Sequence, residues 1–409
     1  MGVEEKKIIR SNKLFPLFSG LTTDLLFWAA INTLFLTNVK GFTSAQISSL
    51  VSFGLVSTIL FQPLSYKIIK KIGNINSVKL GTVLLFLGSF MITFSKQYYL
   101  IVIGESLYEL AFLFKNMDSV ILKKNLKYMK QEKEFLDYQS KASMVYSVVT
   151  MIISFVAGVI FNLNNYLPMI LCTAFCFCNI IFSNFLYEVP KTEELKQKKK
   201  SKKSFKASKL VMLLFILFAF SYSIIDLGQS NSKLLLLYNM NEIISSSQVA
   251  LVLSLIIAIS RVVRVFSNYL FPKLLKKNDK NVLSKLIIML ALADFIIIIG
   301  NFIPLKVIGI GLIAIGFFTF LALRDPLQNY IRTIVLDNCD VDQQEKAINY
   351  LTLSFKLGEF LISVIITIIL LRYDVVYTIF LMLVIAILDL ILCSKINKLL
   401  VETRWCIKL

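Results

Sequence analysis

Apolar runs long enough to cross a membrane recur from one end of this chain to the other. They lie at 14–37, 46–68, 77–95, 98–117, 142–162, 166–187, 209–231, 246–271, 284–303, 306–323, 347–371 and 374–394. A helix needs roughly 20 such residues to span a hydrocarbon layer about 30 Å thick. A chain that is 57% hydrophobic and 17% charged has too little polar surface to cover itself in water. Within lipid every backbone N–H and C=O must be bonded inside the protein, and runs of this length do so as helices rather than as barrel strands. The reading is an all-α membrane protein with twelve transmembrane helices. The first run, which follows thirteen charged and polar residues, is too long for a signal peptide and lacks a small-residue cleavage site, so it is expected as a retained helix.

The formal net charge of +19 follows a pattern. Of the 44 Lys and Arg residues, 36 fall in the N-terminal segment, in the even-numbered loops or the span ends that border them, and in the C-terminus. The odd-numbered loops hold Lys40, Lys96, Lys233, Lys306 and Arg372, and Arg261, Arg264 and Lys356 lie inside spans. Lys and Arg accumulate on the cytoplasmic side, so both termini are expected there. The basic excess reads as orientation, and no nucleic-acid partner is expected. The segment "EVPKTEELKQKKKSKKSFKASK" breaks the chain in two. It suggests an N-terminal six-helix bundle over 1–187, a basic cytoplasmic linker over 188–208, and a C-terminal six-helix bundle with a short tail over 209–409.

The two halves repeat each other weakly. "FSGLTTDL" at Phe18–Leu25 returns 202 positions later as "FSYSIIDL" at Phe220–Leu227, with an aspartate in each. Lys70 and Lys71 pair with Lys276 and Lys277, Lys115 with Arg324, and "EKEFLDY" with "EKAINYL", at offsets of 206, 209 and 213. Each pair keeps the same membrane orientation, so the repeat is parallel and relates the bundles by a pseudo-two-fold axis. Asp24 lies 16 residues before Lys40 and Asp226 lies 16 before Glu242, near ~24 Å of helical rise. From the inner flanking lysines the distances differ, 11 residues against 17.

Twelve spans, a basic central loop and a six-plus-six parallel repeat resemble the major facilitator superfamily of secondary transporters over the whole chain. That family marks its second-to-third loop with G-x-L-a-D-R-x-G-R-[RK]. Here the loop is "YKIIKKIGNI", with Gly73 at the second glycine, Lys71 at the Arg, Tyr66 in place of the first glycine and Lys70 in place of the acid. In "RDPLQNYIRTIVLDN…EKAINYL", Arg324, Pro326, Lys346 and Ala347 resemble the family's tenth-to-eleventh loop, where an arginine and proline end one helix. The resemblance stops short of the drug–proton antiporter branches. Their fourth-span arginine and fifth-span Gly-Pro are absent from "LIVIGESLYELAFLF" and "SVVTMIISFVAGVIF". The family implies two bundles that rock about a central site lined by spans one, four, seven and ten.

Ionisable groups cost about 2.5–3.5 kcal/mol each to insert, so they point to function by default. On the first span, Asp24, Trp28 and Asn32 are four residues apart, one face of a continuous helix. A carboxylate above an indole suits a cationic ligand; the alternative is a polar stripe with a packed Trp. On the fourth span Glu105 and Glu109 stand one turn apart and repel, which suits proton exchange. On the seventh, Ser223, Asp226, Ser230 and Lys233 form a stripe running into "GQSNSK", expected as an interrupted segment. Arg261 is a candidate ligand for an anion, or a partner of Asp294. Lys356 and Glu359 are expected to pair. Asp389 lacks an evident partner. Lys70, Lys71, Gly73, Lys115, Asp118, Arg324 and Asp325 are candidates for gating contacts between the halves.

No phosphate-cradling glycine loop precedes a Lys-Ser/Thr pair, and the chain has no histidine. Neither an ATP-driven pump, a catalytic triad nor a cofactor is expected. Cys172 and Cys176 share a helix face but read best as packing residues, so no metal is expected. The expected protein is a monomeric, proton-coupled exporter of an amphipathic or cationic small molecule in a bacterial plasma membrane. Uptake of a nutrient or anion is one alternative. A sensor or assembly partner that transports nothing is another.

Overall fold

The computed structural model describes residues 3–131, 134–189, 208–277, 281–339 and 344–406. Most of the basic linker, 190–207, lies outside the described residues, as do the side chains of Lys276, Lys277 and Lys346. The described elements are helices. They form two compact units, one with residues up to Phe35 and from Phe53 to Val189, the other with Leu36–Ser52 and the residues from Ser208 onward.

The first unit opens with α1 (Val3–Leu21), a break, and α2 (Trp28–Leu34), which runs into a π-helical turn at Phe35–Val39. There follow α3 (Ser44–Ile72), α4 (Asn74–Phe94), α5 (Tyr98–Lys115), α6 (Met117–Tyr128), α7 (Phe135–Leu163) and α8 (Leu167–Ser183). The helix α3 is shared, its first nine residues belonging to the second unit. Phe15, Leu122, Leu126 and Ala142 form one buried cluster, and Phe18, Val78, Ile121 and Leu186 a second. Both fasten α1 to the helices after it. The chain leaving α8 is also fixed. Asn125 donates to Asn12 and to the carbonyl of Tyr187, while its own Oδ1 accepts from the N–H of Val189. Glu188 pairs with Lys124 at 3.1 Å and accepts from Asn74.

The second unit contains α9 (Lys209–Asn241), α10 (Ser246–Lys277), α11 (Val282–Phe302), α12 (Lys306–Asp337), α13 (Gln344–Leu370) and α14 (Val376–Cys406). Ser208 caps α9 by accepting from the N–H of Val211 at 3.3 Å, the usual role of an N-cap serine.

Nine described helices are long and apolar enough to cross a membrane. The three remaining expected spans coincide with the α1–α2 region, which is broken, with α5, which carries Glu105, Glu109 and Lys115, and with α8, of 17 residues. Several helices outlast their apolar runs. The tenth span was expected to end at 323, before Arg324 and Pro326, yet α12 continues to Asp337. Proline lacks an N–H, which orphans the carbonyl four residues earlier. Here that carbonyl is Ala322's, and the Ser267 hydroxyl donates to it. The helix therefore passes through Pro326 with its backbone satisfied.

The expected interruption at "GQSNSK" is absent: α9 is continuous through 228–233. Ser230 and Ser232 bond back to the carbonyls of Asp226 and Gly228. Gly228 serves packing, since a methyl group there would stand 2.8 Å from Phe320 Cζ. Gly228→Ala is expected to cost about 1–3 kcal/mol through overpacking. A fall in the unfolding midpoint in detergent would show it, and an unchanged midpoint would mean that the Phe320 ring gives way freely.

Candidate functional site

The first expected span is where sequence and structure part most usefully. Asp24, Trp28 and Asn32 do not share one helix face, because the helix stops at Leu21 and resumes at Trp28. The cause is local. Thr22 and Thr23 turn their hydroxyls back to the carbonyls of Phe18 and Ser19, each at 2.7 Å. Asp24 Oδ1 takes the N–H of Leu25 at 2.7 Å. Three consecutive side chains thus compete with the backbone ladder. Trp28, buried, opens α2, and Asn32 Oδ1 accepts from the N–H of Thr33 at 2.8 Å.

At the break the Asp24 carboxylate faces two phenols. Tyr108 of α5 donates to Oδ1 at 2.5 Å, and Tyr146 of α7 donates to Oδ2 at 3.2 Å. Glu105, 7% exposed, lies within electrostatic reach of Glu109 and Asp24, and Tyr108 is within reach of all three. Glu105 Oε2 has no hydrogen-bond partner among the described residues. Gly54 of α3 packs directly on this pair: a methyl there would stand 2.9 Å from Glu109 Cγ and 3.6 Å from Glu105 Cγ. The first unit therefore gathers three carboxylates and two phenols around a helix break. Such a group can accept a cation, or take a proton and pass it between oxygens.

Asp226 of the second unit stands in a different setting. Its carboxylate pairs with Arg324 at 3.0 Å, and Arg324 also donates to the Tyr222 hydroxyl at 3.2 Å. Beside it, Arg264 clamps Asp325 with two bonds of 2.7 and 2.8 Å, and Asn268 adds a third at 2.6 Å. Ser223 and Ser230 bond to carbonyls of their own helix. Arg261 is buried on α10. It does not pair with Asp294, both of whose carboxylate oxygens lack a hydrogen-bond partner among the described residues. Lys356 and Glu359 approach to 3.6 Å, as expected from their spacing.

The other candidate residues have local partners. Lys115 meets Asp118 at 3.2 Å, an ionic contact without hydrogen-bond alignment, and its ammonium also reaches the carbonyl and hydroxyl of Ser19 at 3.4 and 3.5 Å. In the last turns of α3, where the second-to-third loop was expected, Lys70 lies over the Tyr66 ring, 4.6 Å from its centroid. The two residues that depart from the family's motif thus pair with each other. Gly73 has φ 85°, a backbone state that favours glycine, and opens α4. Sequence reading missed Tyr108 and Tyr146. Their signal was that each carries a phenolic donor into an apolar span, Tyr108 between two glutamates.

No family model and no curated protein matches this sequence. Solved structures do match. The nucleoside transporter NupG gives a TM-score of 0.69 at 13% identity, over 94% of this chain and 98% of that one. The POT family transporter PepTSo gives 0.71 at 11%, over 97% of each. A bacterial homologue of the iron transporter ferroportin, in an inward-facing state, gives 0.67 at 14%, over 95% of this chain and 99% of that one. Likenesses at such low identity define a fold, and the fold is that of the major facilitator transporters, an all-α membrane fold.

Proposed function

We propose that the protein is a secondary transporter that moves a small molecule by alternating access, and that it exports an amphipathic or cationic compound in exchange for protons. The observation that carries this reading is Asp24, set at a helix break and held by two tyrosine hydroxyls beside Glu105 and Glu109. Broken helices in transporters contribute to ligand and ion sites. A carboxylate cluster prefers cations, and it binds a proton or a positively charged solute in competition. Exchange follows: a proton on Asp24 or its glutamate neighbours weakens the hold on the cation and favours its release. The transporter likenesses support transport itself and leave the solute open.

The setting we propose is a bacterial plasma membrane, with a monomer whose termini both face the cytoplasm, on the distribution of Lys and Arg. The test is reconstitution into liposomes under an imposed pH gradient, with a mixed panel of metabolites and drugs. Flux of a cationic compound against the proton gradient is the expected result. A complete absence of flux together with a specific co-purifying protein would favour the sensor reading instead. Buried Arg261 supports a second reading, uptake of an anion. Arg261→Gln is expected to leave cation export within about threefold of the parent, whereas on the anion reading it removes the ligand that a buried solute anion needs.

A further inference from the structure

The helix α3 belongs to both units, and its two ends are held differently. Near its start Ser52 donates to the Ser363 hydroxyl at 2.9 Å, Thr367 donates to Ser48 at 3.0 Å, and Ser48 donates to the Ser363 carbonyl at 3.4 Å. These hydroxyls join α3 to α13. Ser44 and the Tyr238 hydroxyl of α9 add a contact of 2.6 Å. Two residues beyond Ser52 comes Gly54, against the Cγ atoms of Glu109 and Glu105. Among the candidate spans α3 and α13 are the least buried, each with 33% of its apolar stretch inside the protein. Hydrogen bonds between helices in lipid are individually weak, and a short ladder of them opens and closes readily.

We propose that Gly54 couples the Glu105–Glu109 pair to this hydroxyl ladder: when Glu109 takes up or releases a proton or a cation, its side chain moves against α3 and loosens or tightens the hold of Ser48 and Ser52 on α13. The missing side chain of Gly54 brings the α3 backbone close to the carboxylate stem. A helix is stiff over the two residues from Gly54 to Ser52, so a shift at one is felt at the other. Among the titratable groups, Glu105 and Tyr108 on its own helix bear on Glu109, and both of these lie within electrostatic reach of Asp24 at the break. From α3 no titratable group comes near; Tyr66, Lys67, Lys70 and Lys71 follow Gly54 by twelve residues or more. The ladder would thus respond to the charge state of the site without touching a solute.

The test uses the full chain in nanodiscs with Ala45→Cys as reporter. Ala45 is 5% exposed, lies on the first turn of α3 and takes no part in the ladder. Its reaction with a water-soluble maleimide is followed across an acid-to-neutral pH series and divided at each pH by that of free cysteine, because the reactive thiolate itself grows with pH, with the parent protein giving the background from natural cysteines. Labelling is expected to change at least about fivefold with pH, the low end of coupling between two sites. Glu109→Gln, which keeps shape and fold, should flatten that response. Gly54→Ala should flatten it as well while Glu109 stays intact. Ser363→Ala should raise labelling at every pH. An unchanged pH response in Glu109→Gln and Gly54→Ala, or no response in the reporter alone, overturns the coupling. Labelling needs no transported solute, so this result is independent of any flux measurement.

Discussion

Asp24→Asn is expected to cut transport driven by a pH gradient at least about a hundredfold, the order seen when a positioned proton-transfer group is lost. Asparagine keeps the shape of the side chain, and its carbonyl oxygen can accept from Tyr108 or Tyr146. The break should survive and the protein should stay folded. What disappears is the charge and the exchangeable proton. Tyr108→Phe separates these roles, since it keeps the carboxylate and removes the donor 2.5 Å away. It should shift the pH profile of transport with a smaller loss of rate. Asp226→Asn is the internal contrast: that carboxylate is neutralised by Arg324 at 3.0 Å. Its loss should show in stability before it shows in coupling. Full gradient-driven flux in Asp24→Asn would remove the proposed role of the helix break.

The second large effect is on folding. Asp118→Ala is expected to destabilise the first unit by about 3–5 kcal/mol, because it leaves a buried ammonium without its counter-charge. The side chains of Lys115 and Asp118 are 4% and 1% exposed. After the change Lys115 keeps the long contacts to Ser19, at 3.4 and 3.5 Å, and no carboxylate. The double variant Lys115→Met, Asp118→Leu should recover most of the loss, since apolar residues of similar size replace buried ion pairs at little cost. Unfolding in mild detergent, followed by tryptophan fluorescence or by proteolysis, reads both. A loss below about 1 kcal/mol in Asp118→Ala would place the pair in the class of screened surface bridges.

What the sequence disclosed followed from its punctuation. The seventh, eighth and tenth runs begin at Lys209, near Ser246 and at Lys306, and the helices begin there too, because polar residues stop apolar burial abruptly. Helix ends beyond the apolar runs were not legible. Charged turns such as those after Arg324 continue a helix as well in water as apolar turns do in lipid. Pro326 misled because its remedy, the Ser267 hydroxyl, sits on another helix. The break at Asp24 was misread for a related reason. Thr22, Thr23 and Asp24 are each tolerated in a helix one at a time, and their combined pull on the backbone shows only when all three bonds form. The glutamates were evident as charges in an apolar run. Their glycine neighbour on α3 was not, since nothing in "SFGLVS" announces what it packs against.

The broken start of the chain also bears on how the protein is made. The helix α1 carries Glu4, Glu5, Lys6, Lys7, Arg10 and Lys13, and α2 is 7 residues long, so neither qualifies as a span alone. A ribosome delivers this region before any helix that it packs on. Its burial relies on Leu122, Leu126, Ala142, Val78 and Leu186, all synthesised later. The α1–α2 region thus keeps its burial only once those later segments are in place, whereas α3, with a continuous apolar stretch, is long and apolar enough to cross a membrane without them.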